Sequence, residues 1–115
     1  MKGDWSITDF YDRIQELLKL KSGWLDGDGE PISFDISHLA AFEIDKHLHD
    51  CPPHVFPMPS GGLSLEWFKG NDEVVATIEP DFKGTFVSNV ESYEADWTME
   101  QEWVRLARNV KNFLK

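Results

Sequence analysis

The chain has 115 residues, enough for one domain with one core and too few for two. Hydrophobic residues make up 41%, with five Trp and eight Phe among them, so large aromatic side chains can supply a core in a short chain. Eleven Lys and Arg against 21 Asp and Glu leave a net charge of −10, which speaks against direct nucleic-acid binding and against docking on anionic lipid, and favours solubility or a basic partner.

In chain order, Ser6 to Lys21 reads as a helix. Ile7, Phe10, Tyr11, Ile14, Leu17 and Leu18 recur at helical spacing, Ser6 is placed to cap, and Asp9 and Asp12 suit the positive end. Lys19 and Lys21 would fall in the last turn before Ser22-Gly23 stops it. Trp24 to Ile32 is a Gly-rich acidic loop. A second helix is expected from Phe34 to Asp50 behind Ser33, with Ile36, Leu39, Ala40, Ile44 and Leu48 on its apolar face. Cys51-Pro52-Pro53 ends it, because proline disfavours helix in the residue before it.

His54 to Gly62, with Pro57, Pro59 and Gly61-Gly62, reads as an extended link. Leu63 to Phe68 alternates like a strand, Lys69 to Asp72 is turn chemistry, and Glu73 to Glu79 is a second strand. A turn at Pro80 to Gly84 leads to a third strand from Thr85 to Tyr93. Such short connections imply an antiparallel meander. Thr98, with Gln101 in a capping-box pattern, opens a last helix whose stripe is Met99, Trp103, Leu106, Ala107, Val110 and Phe113 or Leu114. The expected class is α+β, order α-α-β-β-β-α: one domain over residues 1–115, a three-stranded antiparallel meander covered by helices, with Trp67 and Trp103 in the core.

Cys51 is the single cysteine, so no internal disulfide forms and a reducing, cytoplasmic setting is expected. The Met-Lys-Gly-Asp-Trp start lacks the apolar stretch of a leader, and no apolar run nears the roughly 18 residues of a membrane helix.

The chemistry-bearing patterns are incomplete. Asp26, Asp28 and Glu30 alternate as in a calcium loop, but Pro31 and Ser37 stand where that loop needs Gly and a bidentate Glu. His47 and Cys51 share a helix face, yet His49 points elsewhere and His54 lies beyond two prolines, so no metal or other cofactor is expected. Ser60 sits in Pro-Ser-Gly-Gly rather than in a nucleophile elbow. Acids flank Gly27 and Gly29 and would repel phosphate. From Glu66 to Asp96, Glu66, Asp72, Glu73, Glu79, Asp81, Glu91, Glu94 and Asp96 face only Lys69 and Lys83 in number. Carboxylates lining a sheet can imitate a phosphate backbone to a basic partner, or simply guard strand edges.

Trp24-Leu-Asp-Gly-Asp-Gly-Glu-Pro, then a helix, then Pro57-Met-Pro-Ser-Gly-Gly-Leu-Ser-Leu-Glu-Trp67, resembles a widespread group of small bacterial proteins with the pattern W-x-D-G-x-G-x-P … P-x-x-G-G-h-x-L-E-W and a β-meander. The resemblance covers about residues 22 to 90 and brings no catalytic role with it. It looks like the small accessory proteins of bacterial and phage conflict systems.

Together these features lead to the expectation of a non-enzymatic inhibitor, an immunity protein or antitoxin, that neutralises a cognate basic protein partner. That partner could itself process nucleic acid. The chain would be monomeric or homodimeric, with Glu66, Asp72, Glu73, Glu79, Asp81, Asp26 and Asp28 at the partner face. The alternatives are an anti-CRISPR-like inhibitor of a defence system, acting as a DNA mimic, and a small hydrolase or ligand-binding domain using the Trp24–Glu30 loop, through Asp26, Asp28 or Glu30, or else His54.

Overall fold

The computed structural model describes residues 5–115; the Met1–Asp4 start, on which the absence of a leader was read, lies outside them. Two helices come first, α1 (Ile7–Leu17) and α2 (Phe34–Leu48). Five strands follow: β1 (His54–Pro57), β2 (Leu63–Lys69), β3 (Asp72–Ile78), β4 (Lys83–Val87) and β5 (Ser92–Asp96). Helix α3 (Glu100–Leu114) closes the chain. The strands form one antiparallel meander in the order β1-β2-β3-β4-β5.

The α+β class and the helix-helix-meander-helix order stand, and the strand count is corrected from three to five. The structure differs from the expected strands in two places. The Pro-rich link contains β1, an edge strand paired only with β2, where Pro57 is tolerated because the outer edge needs no donor. The expected strand from Thr85 to Tyr93 is two strands folded back at Ser88-Asn89. There Ser88 Oγ accepts from the amides of Val90 and Glu91 at 3.2 and 3.1 Å.

Helix α1 starts as expected. Ser6 Oγ accepts from the Asp9 amide at 3.2 Å, and the Asp9 carboxylate accepts from the Ser6 amide at 2.9 Å, a complete capping box. It stops at Leu17, four residues short of Lys21, because the chain tightens into i→i+3 bonds from Lys19 to Glu16 and from Leu20 to Leu17. Lys19 and Lys21 thus lie beyond the helix. Helix α2 is N-capped by Ser33, whose Oγ accepts from the Ile36 amide. The expected Thr98 cap of α3 is overturned: Met99 is the N-cap residue and gives no side-chain bond, while Thr98 donates through both its amide and its hydroxyl to Asp96 Oδ1.

All three helices lie on one side of the sheet. Phe10, Ile14 and Leu17 from α1, Ile36, Ala40, Ile44 and Leu48 from α2, and Trp103, Leu106 and Val110 from α3 are buried. They meet alternate strand residues: Val55, Leu63, Leu65, Trp67, Val74, Ala76, Ile78, Phe86 and Ala95. Trp67 and Trp103 are core residues as expected, and Trp97 joins them, fully buried. Met99, placed on the α3 stripe, is exposed instead. Among the described residues, no helix is long and apolar enough to cross a membrane.

Candidate functional site: the helix-free face of the sheet

Because side chains alternate along a strand, the residues between the core positions point to the opposite face, and no helix among the described residues covers that face. The strand register sets their neighbours. His54 lies opposite Glu66 and Phe56 opposite Ser64. Phe68 faces Glu73 and Glu66 faces Val75. Val75 faces Val87, and Thr85 faces Glu94. Phe56, Phe68 and Val87 stay substantially exposed, and Val75 is half-buried between them. His54 packs on Phe68 with centroids 5.6 Å apart and on Trp5 with centroids 4.4 Å apart. The face therefore mixes apolar side chains with the carboxylates of Glu66, Glu73 and Glu94, while Lys83 stands opposite Asp96.

The seven acids expected at a partner face do not form one patch. Glu66 and Glu73 lie on the helix-free face, Glu66 half-buried and accepting from Ser64 Oγ at 2.8 Å. Asp72 is exposed opposite Lys69, on the helix side of the strand. Glu79 follows β3 and accepts from the Ser60 hydroxyl, so it fastens the Pro-rich link. Asp81 accepts from the Lys83 amide at 3.0 Å and shapes the β3–β4 turn. Asp26 and Asp28 are exposed in a separate loop. Glu94, Phe56 and Phe68 were missed as site residues. The Ser64–Glu66–Phe68 alternation held the signal for Phe68, whereas Glu94 needed the β4–β5 turn to be recognised.

The Trp24–Glu30 loop is built as scaffold. Leu25 and Asp28 pair through their backbones at 2.7 and 2.8 Å, and Trp24 Nε1 donates to the Glu30 carbonyl at 2.7 Å. Gly29 permits this, since a Cβ there would stand 2.7 Å from the Trp24 ring. The loop then joins the Pro-rich link: the Glu30 amide donates to the Pro59 carbonyl and the Ser33 amide to the Gly61 carbonyl, both at 2.9 Å. The two sequence motifs thus form one backbone junction ahead of β2.

Among the described residues, the histidines and the thiol form no common group of metal ligands. His49 pairs with Asp45 at 2.6 Å on an exposed helix face, and Cys51 is half-buried, its thiol pushed up by burial. Among the described residues, His47 alone of these enters a cluster of possible ligands, with Glu43 on α2 and Glu100 on α3. Burial, then the neighbouring Glu100 carboxyl, raises Glu43 above its ordinary range, whereas the Lys46 ammonium holds Glu100 below its own. The signal for this cluster was the four-residue spacing of Glu43 and His47.

Two open clefts lie on the surface of the described residues. One, of about 860 Å³, lies where the β2–β3 and β4–β5 turns meet the end of α3; its ionisable groups are Lys69 and Asp72. The other, of about 430 Å³, runs between α1 and β1 past Trp5, Arg13 and His54, and Arg13 Nε donates to the Val55 carbonyl at 2.9 Å. Comparison of the chain with protein-family models, with curated proteins and with solved structures finds no match.

Proposed function

We propose that this protein is a non-catalytic protein-binding inhibitor, of the immunity-protein or antitoxin kind, which holds a basic protein partner against the helix-free face of its sheet. The observation that carries the reading is the make-up of that face. Phe56, Phe68, Val75 and Val87 offer apolar anchors, and Glu66, Glu73 and Glu94 stand among them. Apolar anchors supply affinity when a partner excludes water, and the carboxylates select a cationic surface and speed encounter. The net charge of −10 acts in the same direction at long range.

The test is affinity capture from the native host with the wild-type chain, repeated with Glu73→Lys and Glu94→Lys combined and with Phe68→Ala. The expected catch is a basic protein whose association is slowed by the charge reversal and by salt, since the screening length falls from about 10 Å at 0.1 M to about 3 Å at 1 M. Phe68→Ala should chiefly speed its release. Both substituted side chains are exposed, so unfolding stability should move by no more than about 0.5 kcal/mol for each charge. A partner bound equally well by all variants would refute the reading. A captured toxin supports the antitoxin assignment, and a captured defence effector replaces it with an anti-defence role on the same face.

A further inference from the structure

We propose that Glu43, His47 and Glu100 form a site for one divalent transition cation of the zinc class, clamping the C-terminal half of α2 to the first turn of α3. His47 Nε2 lies 3.4 Å from Glu43 Oε1 and 3.4 Å from Glu100 Oε1. A charge-assisted hydrogen bond would bring such atoms to about 2.7–2.9 Å. Tetrahedral bonds of about 2.0–2.1 Å instead hold neighbouring ligand atoms roughly 3.3–3.4 Å apart. Both distances from His47 match that spacing, and all three ligand atoms lie within 4.8 Å of one another.

A second observation points the same way. Glu43 is only 7% exposed, and its Oε1 has no hydrogen-bond partner; the buried Nε2 of His47 has none either. Leaving a buried carboxylate oxygen and an imidazole nitrogen unpaired is costly, and one cation between them satisfies both. Glu43 and His47 are four residues apart on α2, so the helix itself presents them side by side, and Glu100 arrives from α3.

The donor set selects the ion class. One imidazole and two carboxylates without a thiolate suit zinc and its divalent neighbours, not a soft monovalent ion. Calcium takes more oxygens than are gathered here, and magnesium keeps to oxygen and water. Three protein ligands leave a fourth position for water or for a side chain of a partner. Lys46 opposes the ion: its ammonium pairs with the same Glu100 oxygen. Its side chain is half-exposed, so it can swing into solvent when a cation enters.

The experiment uses the full chain after chelator treatment, titrated with Zn²⁺ by calorimetry and with Co²⁺ by visible absorption. One equivalent should bind, with the intense absorption of tetrahedral cobalt and a rise in melting temperature. Glu100→Gln alters an exposed position and should leave the fold intact while weakening binding beyond the roughly 10–100-fold typical of changes around a ligand. His47→Ala should abolish the cobalt spectrum, and Lys46→Met should tighten binding. Cys51→Ser, His49→Ala and His54→Ala should bind as wild type. Absence of binding by both ions, binding insensitive to Glu100→Gln, or binding lost on changing Cys51, His49 or His54 would each overturn the site.

Discussion

The indole N–H of Trp103 donates to the backbone carbonyl of Trp97 at 2.8 Å, and the two rings meet at a tilt with their centroids 4.7 Å apart. Trp97 in turn donates its indole N–H to the Thr77 carbonyl at 2.9 Å. Helix α3 is thereby linked through Trp97 to strand β3 by two hydrogen bonds and a buried aromatic pair. Large rings bury much area, and their N–H groups need partners once water is excluded. Here each indole finds a backbone oxygen.

This linkage predicts that Trp103→Ala costs about 3–5 kcal/mol in urea denaturation, the range for removing a large buried side chain. Trp103→Phe keeps most of the ring but removes the donor to Trp97, and should cost about 1–3 kcal/mol. An unchanged midpoint for either variant would show that α3 is not anchored through this pair.

Gly84 lies beside the same bond. A Cβ at this position would overlap the Thr77 carbonyl oxygen and stand 2.9 Å from Trp97 Nε1. The gap left by the missing side chain is what lets the indole reach across β4 to β3. Gly84→Ala should therefore destabilise by about 1–3 kcal/mol, as overpacking does. Val87→Ala, on the exposed face of the same strand, should stay within about 0.5 kcal/mol. Denaturant midpoints of the two variants check the contrast.

The α1 cap gives a pH-dependent test. Bonding to the Ser6 backbone, then to its side chain, lowers the Asp9 pKa below its ordinary value of 3.8. A lowered folded-state pKa adds stability that is present above the unfolded value and is lost as the pH falls through the folded one. The stability difference between wild type and Asp9→Asn should hold steady near neutrality and shrink once the pH drops below 3.8. Ser6→Ala removes the cap itself and should cost about 0.5–2 kcal/mol near neutral pH.

Cys51 should react slowly. Burial raises its pKa above the ordinary 9.0, only partly offset by Lys111, and the residue is half-covered. Since the thiolate is the nucleophile, alkylation of the native protein near pH 8 should lag well behind that of the urea-unfolded chain. Equal rates in the two states would mean that the thiol is not shielded.

The sequence by itself determined the three helices, the meander between them and the burial of Trp67 and Trp103. These follow from local physics: apolar spacing, the Ser6 and Ser33 caps, and the prolines after Cys51. It left β1 hidden in a Pro-rich link and fused β4 with β5, because edge pairing and the Ser88 turn depend on what the neighbouring strand offers. The tertiary structure alone decided which acids share a surface. It placed Glu66 and Glu73 with Glu94, Phe56 and Phe68 on a helix-free face, and assigned Glu79 and Asp81 to local hydrogen bonds. It also brought Glu100 to Glu43 and His47 across more than fifty residues of chain. Local periodicity describes a helix or a strand, but no local rule states which side chains from distant segments meet, and both the helix-free face and the Glu43–His47–Glu100 cluster consist of such meetings.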